Sequence, residues 1–220
     1  MGFRPVVSRG QPAQAMIGIV DYGVGNLASV RNALEHLGHE ASVCDDPGRA
    51  LEFDRLIVPG VGSFRSAMTT LDATGWADAL KNYAAAGRPM LGICLGMQLL
   101  FDRGDEHGPT AGLGLIHGTV VRLSPSPPHK VPHVGWNNLV RIEPHPLLQG
   151  IKPQVDFYFV HSYHCVPQNP EDVLAVCEFG GDFVASVASG NVAGMQFHPE
   201  KSQPSGMRIL DNFAQWDPEC

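Results

Sequence analysis

Residues 92–96, Gly92-Ile93-Cys94-Leu95-Gly96, constrain the fold more than any other segment, because they join a short apolar run to a stretch with helical spacing. Upstream, Arg88-Pro89-Met90-Leu91-Gly92-Ile93 opens on proline and reads as a buried strand; downstream, Met97-Gln98-Leu99-Leu100-Phe101 reads as helix. Only a tight elbow connects the two in so few residues. Glycines two before and two after Cys94 leave room for a strained turn and for a helix packed close on its strand. A side chain at such a turn is held out from the backbone, and free amides at the start of the following helix favour the thiolate, the nucleophilic form of cysteine.

The surrounding chain repeats this strand-to-helix theme. Residues 16–20 read as a first buried strand, followed by the glycine-rich turn Asp21-Tyr22-Gly23-Val24-Gly25-Asn26 and a helix over about 27–37. A weaker strand is expected at 41–44 and a stronger one at 55–58, running into Pro59-Gly60-Val61-Gly62; helical spacing then covers about 66–86. Alternation of this kind predicts an α/β fold with a mostly parallel central sheet, helices on both faces and functional loops at the carboxyl ends of the strands. Past Gly104 the texture becomes β-rich, with strands expected at 113–123, 139–142, 155–163, 173–179, 183–187 and 192–197 and a closing helix at 204–216. Ser124-Pro125-Ser126-Pro127-Pro128 reads as a surface loop, too short for a domain linker.

At 220 residues with 44% hydrophobic composition, the chain is long enough for a full core. The expected organisation is a loose extension over 1–15 and one domain over 16–220; two small domains also fit the length. Net charge is −7 and no stretch concentrates lysine and arginine, which argues against nucleic acid and favours a small-molecule or protein partner. Five scattered cysteines suit a reducing, cytoplasmic setting better than a disulfide framework. The segment MGFRPVVSRGQPAQA lacks the apolar core of a secretory leader and the Ser or Thr at position 6 of a myristoylation site, and no apolar stretch reaches the length of a membrane helix.

Far downstream, Gly194-Met195-Gln196-Phe197-His198-Pro199-Glu200-Lys201 presents an imidazole and a carboxylate two residues apart. In an extended segment residues i and i+2 share a side, and Pro199 disfavours a local helix that would separate them, so Glu200 is expected to orient His198. In a Cys94, His198, Glu200 triad the histidine takes the thiol proton and later protonates a leaving amine, while the carboxylate fixes the tautomer. Acyl transfer also needs donors for the developing oxyanion. The backbone N–H of Leu95 is one candidate, and the loop at Val61 and Gly62 supplies the second.

The ordinary reading of a cysteine is a small buried hydrophobe, and that is expected for Cys44, Cys165, Cys177 and Cys220. His107, His117, His129, His133, His145, His161 and His164 do not stand at ligand spacing, so no metal is expected. The turn at 21–26 holds an incomplete dinucleotide pattern with no acid placed to read a ribose, and no cofactor is expected.

The elbow GICLGMQ and the pair HPE resemble those of the class I glutamine amidotransferases. Asp21-Tyr22-Gly23-Val24-Gly25-Asn26, Pro59-Gly60-Val61-Gly62, Val131-Pro132-His133-Val134-Gly135-Trp136-Asn137 and Tyr158-Phe159-Val160-His161-Ser162-Tyr163 extend the match over about residues 16–216, toward the branch that serves imidazole glycerol phosphate synthases. The resemblance implies a flavodoxin-like fold and hydrolysis of L-glutamine to glutamate and ammonia through a thioester on Cys94. It further implies delivery of the ammonia to a (β/α)8-barrel cyclase in a heterodimer that serves histidine synthesis. Carried over by position, Gly60, Gln98, His161, Ser162 and Tyr163 would contact glutamine, and Asn26, Trp136, Asn137, Tyr158 and Lys201 would face the cyclase. Three alternatives stay open: the glutaminase of another ammonia-dependent synthase, a stand-alone cysteine hydrolase acting on a γ-glutamyl substrate, and a non-catalytic binding module.

Overall fold

The computed structural model describes residues 15–218. The extension expected at 1–15 lies, apart from Ala15, outside the described residues, as does Cys220.

The first half is built around strands buried on both faces, with the strand at the sheet edge partly exposed. β1 (Ile17–Val20) is apolar and buried throughout, and it lies between β2 (Ala41–Cys44) and β3 (Arg55–Gly60), parallel to both. β4 (Met90–Cys94) continues the parallel sheet on β3, and β13 (Val192–Met195), from near the end of the chain, pairs parallel on the far side of β4. The parallel core therefore runs β2-β1-β3-β4-β13. Alternate residues of these strands serve opposite faces. Ile17, Ile19, Ile57, Leu91, Ile93 and Met195 pack on α1 (Leu27–His36) and α5 (Gln203–Gln215). Val20, Leu56, Val58, Met90 and Val192 pack on α2 (Phe64–Thr74), α3 (Trp76–Ala85) and the short α4 (Leu95–Leu99). The expected α/β sheet with helices on both faces is present.

Beyond β13 the sheet turns antiparallel through β12 (Asp182–Ser189), β10 (Tyr163–Pro167) and β7 (Ile116–Arg122), and ends on β5 (Phe101–Gly104) and β6 (Thr110–Ala111). β11 (Val173–Glu178) pairs with β12 and with β8 (His133–Ile142), and β8 pairs antiparallel with β9 (Asp156–His161).

Four local expectations change. The helix expected over 66–86 is two helices, because Gly75 adopts φ 81, a left-handed conformation that ends α2 and redirects the chain so that Trp76 is buried. The helix expected to reach residue 101 stops at Leu99, and Phe101 enters β5 beside β7. The strand expected over 155–163 breaks at Ser162, after which β10 leaves β9 and pairs with β7 and β12. The strand expected at 139–142 begins at His133, since pairing with β9 draws the glycine- and asparagine-containing stretch 133–138 into the ladder. In each case non-local pairing or a glycine conformation overrides the local pattern.

Candidate active site

Cys94 ends β4 and caps α4 with φ 56 and ψ −111, a backbone conformation that a non-glycine residue holds only under constraint. The flanking glycines supply that constraint. A Cβ on Gly96 would stand 1.8 Å from the carbonyl oxygen of Val58, and one on Gly92 would stand 2.6 Å from that of Gly96. The helix can therefore press against β3 and β4 only because both positions lack side chains. α4 has only 5 residues, so the helix-end support for an anion expected from the sequence comes from little more than one turn.

His198 follows β13 and reaches the same edge of the sheet. Its Nδ1 lies 2.8 Å from Oε1 of Glu200, with both side chains buried. The route differs from the expected one. Residues 199–201 form a 3-10 turn rather than an extended segment, with Pro199 at the first helical position, where its missing N–H costs nothing. The turn, and not strand alternation, brings Glu200 under the ring. The backbone of His198 is tied to Tyr158 and Ser202, its N–H donating to Tyr158 O at 2.9 Å and its carbonyl accepting from Ser202 Oγ at 2.6 Å, and that same Oγ accepts from Tyr158 N at 3.0 Å, closing the link.

Burial disfavours the His198 imidazolium, but interactions with Cys94 and Glu200 outweigh it and raise the pKa to about 9. Among the described residues Nε2 has no hydrogen-bond partner in this resting geometry, while the Cys94 thiol is the neighbour that most raises the ring, a pairing of the kind that tightens when substrate binds. In Glu200→Gln or Cys94→Ala one raising partner is lost while burial remains, so the His198 midpoint measured by NMR titration should fall from about 9. The linkage follows with its sign. A histidine raised by its partners stabilises the fold fully below the ordinary value of about 6.5, and the contribution is lost as pH rises through the folded-state value. The variants should lose it at lower pH than wild type. An unmoved midpoint in both would mean that His198 is not coupled to either group.

Val61, Gly62, Cys94, Leu95, Gln98, His161, Ser162, Tyr163 and His198 line one cavity of about 300 Å³, together with Glu106, Pro132 and Val160. The expected nucleophile and base, both expected oxyanion segments and four of the five expected glutamine contacts thus line one cavity. Gly60 is the exception. It pairs with Cys94 across β3 and β4, and a Cβ there would meet Tyr22 Oη at 2.6 Å and Gly96 N at 3.0 Å, so it lets the elbow pack against β3 rather than lining the cavity.

The residues expected to face a partner divide. Val134 pairs with Val160, and Trp136 with Tyr158, on the outer face of the β8–β9 pair. There Trp136 is 48% exposed, its ring centroid lies 5.8 Å from that of Tyr158, and Lys201 Nζ lies 5.7 Å from the Tyr158 centroid. Asn137 belongs to the opposite face by strand alternation; its amide donates to Glu178 O at 2.8 Å. Asn26 caps α1, accepting from Ser29 N at 3.4 Å.

Three contributors escaped sequence reasoning. Gln196 Oε1 accepts from Gln98 Nε2 at 3.0 Å, and Gln196 Nε2 lies 3.9 Å from Cys94 Sγ. Its only sequence signal was its place two residues before His198, on the strand side that meets α4. His133 is buried behind His161, in a segment whose histidine was judged only as a metal ligand. Tyr22 Oη is buried beneath Gly60 with no hydrogen-bond partner among the described residues, and burial, then the charge at Cys94, push its phenol upward. Nothing in the sequence marks that approach. Cys44, Cys165 and Cys177 are free and buried, and burial raises all three thiols, Cys177 to about 12.

A thiol on a strained elbow, a coupled histidine and a carboxylate on that histidine's far nitrogen, on an open α/β sheet, are the groups that cysteine-nucleophile acyl transfer requires. The chain belongs to the class-I glutamine amidotransferases, whose family model matches residues 18–216. Among its relatives, imidazole glycerol phosphate synthase subunit HisH of Desulfitobacterium hafniense is 48% identical over 201 residues, covering 91% of this chain and 94% of the relative. The subunit of the same name from Geobacillus thermodenitrificans is 51% identical over 203 residues, covering 90% and 95%. The fold is shared with a solved glutamine amidotransferase at TM-score 0.70 and 21% identity, covering 91% of this chain and 99% of that one. It is shared too with PurLQS from Thermotoga maritima at TM-score 0.71 and 19% identity, covering 92% and 98%.

Proposed function

We propose that this chain is the glutaminase subunit of an imidazole glycerol phosphate synthase, hydrolysing L-glutamine to glutamate and ammonia and passing the ammonia to a separate (β/α)8-barrel cyclase for histidine synthesis. The observation that carries the reading is the Cys94, His198, Glu200 constellation on a cavity of about 300 Å³, in a chain 48% identical to a HisH subunit.

The chemistry follows from the groups present. With its pKa raised to about 9, His198 is base enough to take the thiol's proton as the sulfur attacks and to stay beside it as an imidazolium. Sulfur attacks the side-chain amide carbon of glutamine, and the oxyanion is received by the N–H of Leu95 and by an amide of Val61 or Gly62. His198 then protonates the departing nitrogen, ammonia leaves, and a γ-glutamyl thioester remains on Cys94. In the second half His198 takes a proton from water, which attacks the thioester and releases glutamate. Glu200 keeps the proton of Nδ1 in place throughout and steadies the charged ring.

The outer face of β8 and β9 supports docking of the cyclase. Val134, Trp136 and Val160 are exposed there beside Tyr158 and Lys201, with exposed Val61 at the cavity mouth, an apolar and aromatic patch of the kind that marks a partner surface. Delivery to a docked partner also makes chemical sense, because ammonia freed into water at neutral pH is protonated and lost as a nucleophile. A cytoplasmic setting accords with the free, buried cysteines. Gly62, at φ 99 with open space around it, is the hinge about which an amide of the oxyanion loop can turn.

Glutamine hydrolysis should therefore be slow for the chain alone. It should rise on the order of 10²-fold, the contribution of one oxyanion donor, when the cyclase and its nucleotide ligand are added. Fast turnover by the chain alone would defeat the gating and favour a stand-alone hydrolase; no turnover under either condition would defeat the glutaminase reading.

A further inference from the structure

Behind the cavity wall a chain of hydrogen bonds has only one consistent polarity. His161 Nδ1 lies 2.8 Å from the carbonyl oxygen of Tyr163, which can only accept, so Nδ1 carries the proton. Neutral His161 then presents a lone pair at Nε2. That atom lies 3.0 Å from His133 Nδ1, which must therefore be the donor. His133 Nε2 is left as acceptor, and Asn137 Nδ2 stands 3.4 Å from it. The Asn137 amide is oriented independently: its Oδ1 accepts from Asn138 N at 2.8 Å and its Nδ2 donates to Glu178 O at 2.8 Å. At the other end Tyr163 O also accepts from Gln98 Nε2 at 3.0 Å.

Both rings are held neutral and in place. Burial, chiefly, lowers the pKa of His133 to about 4 and that of His161 to about 3. His133 is stacked between Phe179, at 4.1 Å between centroids, and Phe159, at 5.0 Å, with Phe183 against its edge at 5.5 Å. A neutral histidine in an aromatic box, off the cavity lining, has no part in the proton transfers of the triad.

We propose that His133 is a positioning residue for the glutamine pocket: its Nδ1–H anchors Nε2 of His161, so that His161 and Gln98 together clamp the Tyr163 carbonyl at the cavity wall. The assignment rests on the glutaminase reading only for the ligand that the wall receives. His133 lies on the inner face of the strand pair whose outer face carries Trp136 and Tyr158, so the clamp is continuous with the surface on which a partner would dock.

The test has two independent parts. In the wild-type chain, long-range nitrogen–proton NMR of the imidazoles should show both rings protonated at Nδ1 and bare at Nε2 at neutral pH. An Nε2–H signal for either ring would overturn the proposal whatever the activity. For kinetics, the full chain with its cyclase carries His133→Phe, which fits the aromatic box but removes the donor, or His133→Asn, whose amide nitrogen stands where Nδ1 was. Losing the partner of one buried acceptor should raise KM for glutamine about tenfold and change kcat less than about threefold, with Asn restoring KM to within about threefold of wild type. An unchanged KM in His133→Phe, or an equally raised KM in His133→Asn, would overturn it. If His133→Phe does not fold, the wild-type spectrum and His133→Asn decide alone. A wild-type complex that does not hydrolyse glutamine refutes the proposed function and not the hydrogen-bond chain, which the spectrum judges separately.

Discussion

Replacing Cys94 with alanine is expected to reduce glutamine-dependent synthesis by at least about 10⁴-fold while leaving synthesis from added ammonium salt intact. The size follows from the chemistry: among the described residues no other thiol lines the cavity, and Cys44, Cys165 and Cys177 are buried and pushed toward the inert thiol form. The selectivity follows from the proposed function, in which added ammonia bypasses the thioester step and the cyclase reaction does not use this cavity. Glu200→Gln should cost less, because in the proposed mechanism Glu200 orients His198 and does not transfer the proton itself. Initial rates with glutamine and with ammonium chloride, measured side by side for the three proteins, check all of this. Retained glutamine-dependent synthesis in Cys94→Ala would mean that another group attacks; a larger loss in Glu200→Gln would assign the carboxylate a different role.

Gly96→Ala should be the most damaging single-atom change in the elbow, destabilising the fold by more than about 4 kcal/mol, the range in which point substitutions become exceptional. The added Cβ would meet the Val58 carbonyl oxygen at 1.8 Å, a backbone atom of β3 that cannot rotate away as a flexible side chain does. Relief requires moving α4 off the sheet, which also moves Cys94 and the Leu95 amide. Loss of activity should therefore accompany loss of stability. Gly62→Ala is the informative contrast: nothing lies within 4 Å of its Cβ position, so its penalty is the conformational cost of φ 99, roughly 1–2 kcal/mol. Urea unfolding of both variants separates the two origins of glycine requirement. Gly96→Ala unfolding within about 1 kcal/mol of wild type would show that α4 is free to shift.

How much of this was readable in the chain depends on the range of the interaction involved. β1, β2 and β3, α1 and α5 were expected close to where they occur, because each carries a complete apolar pattern within its own length. The elbow was readable for the same reason, as its geometry is set by glycines two residues to either side of Cys94. The second half was harder. Stretch 133–138 becomes strand only because β9 lies beside it, and the break at Ser162 exists only because β10 finds β7 and β12. Asn137 was placed with Trp136 by motif, whereas strand alternation turns the two to opposite faces once the register is set.

The chemical identity of the site was thus carried by local order: a thiol between glycines, a histidine two residues from a glutamate, a glycine-rich loop at a strand end. What the folded molecule alone decided is how those groups meet. The 3-10 turn that seats Glu200 under His198, the burial that neutralises His133 and His161, the Gln98–Gln196 contact and the approach of Tyr22 to Gly60 all depend on atoms distant in sequence. The physical reason is that periodicity and turn propensity act over a few residues, whereas desolvation and hydrogen-bond polarity are set by whichever segments the completed sheet brings alongside.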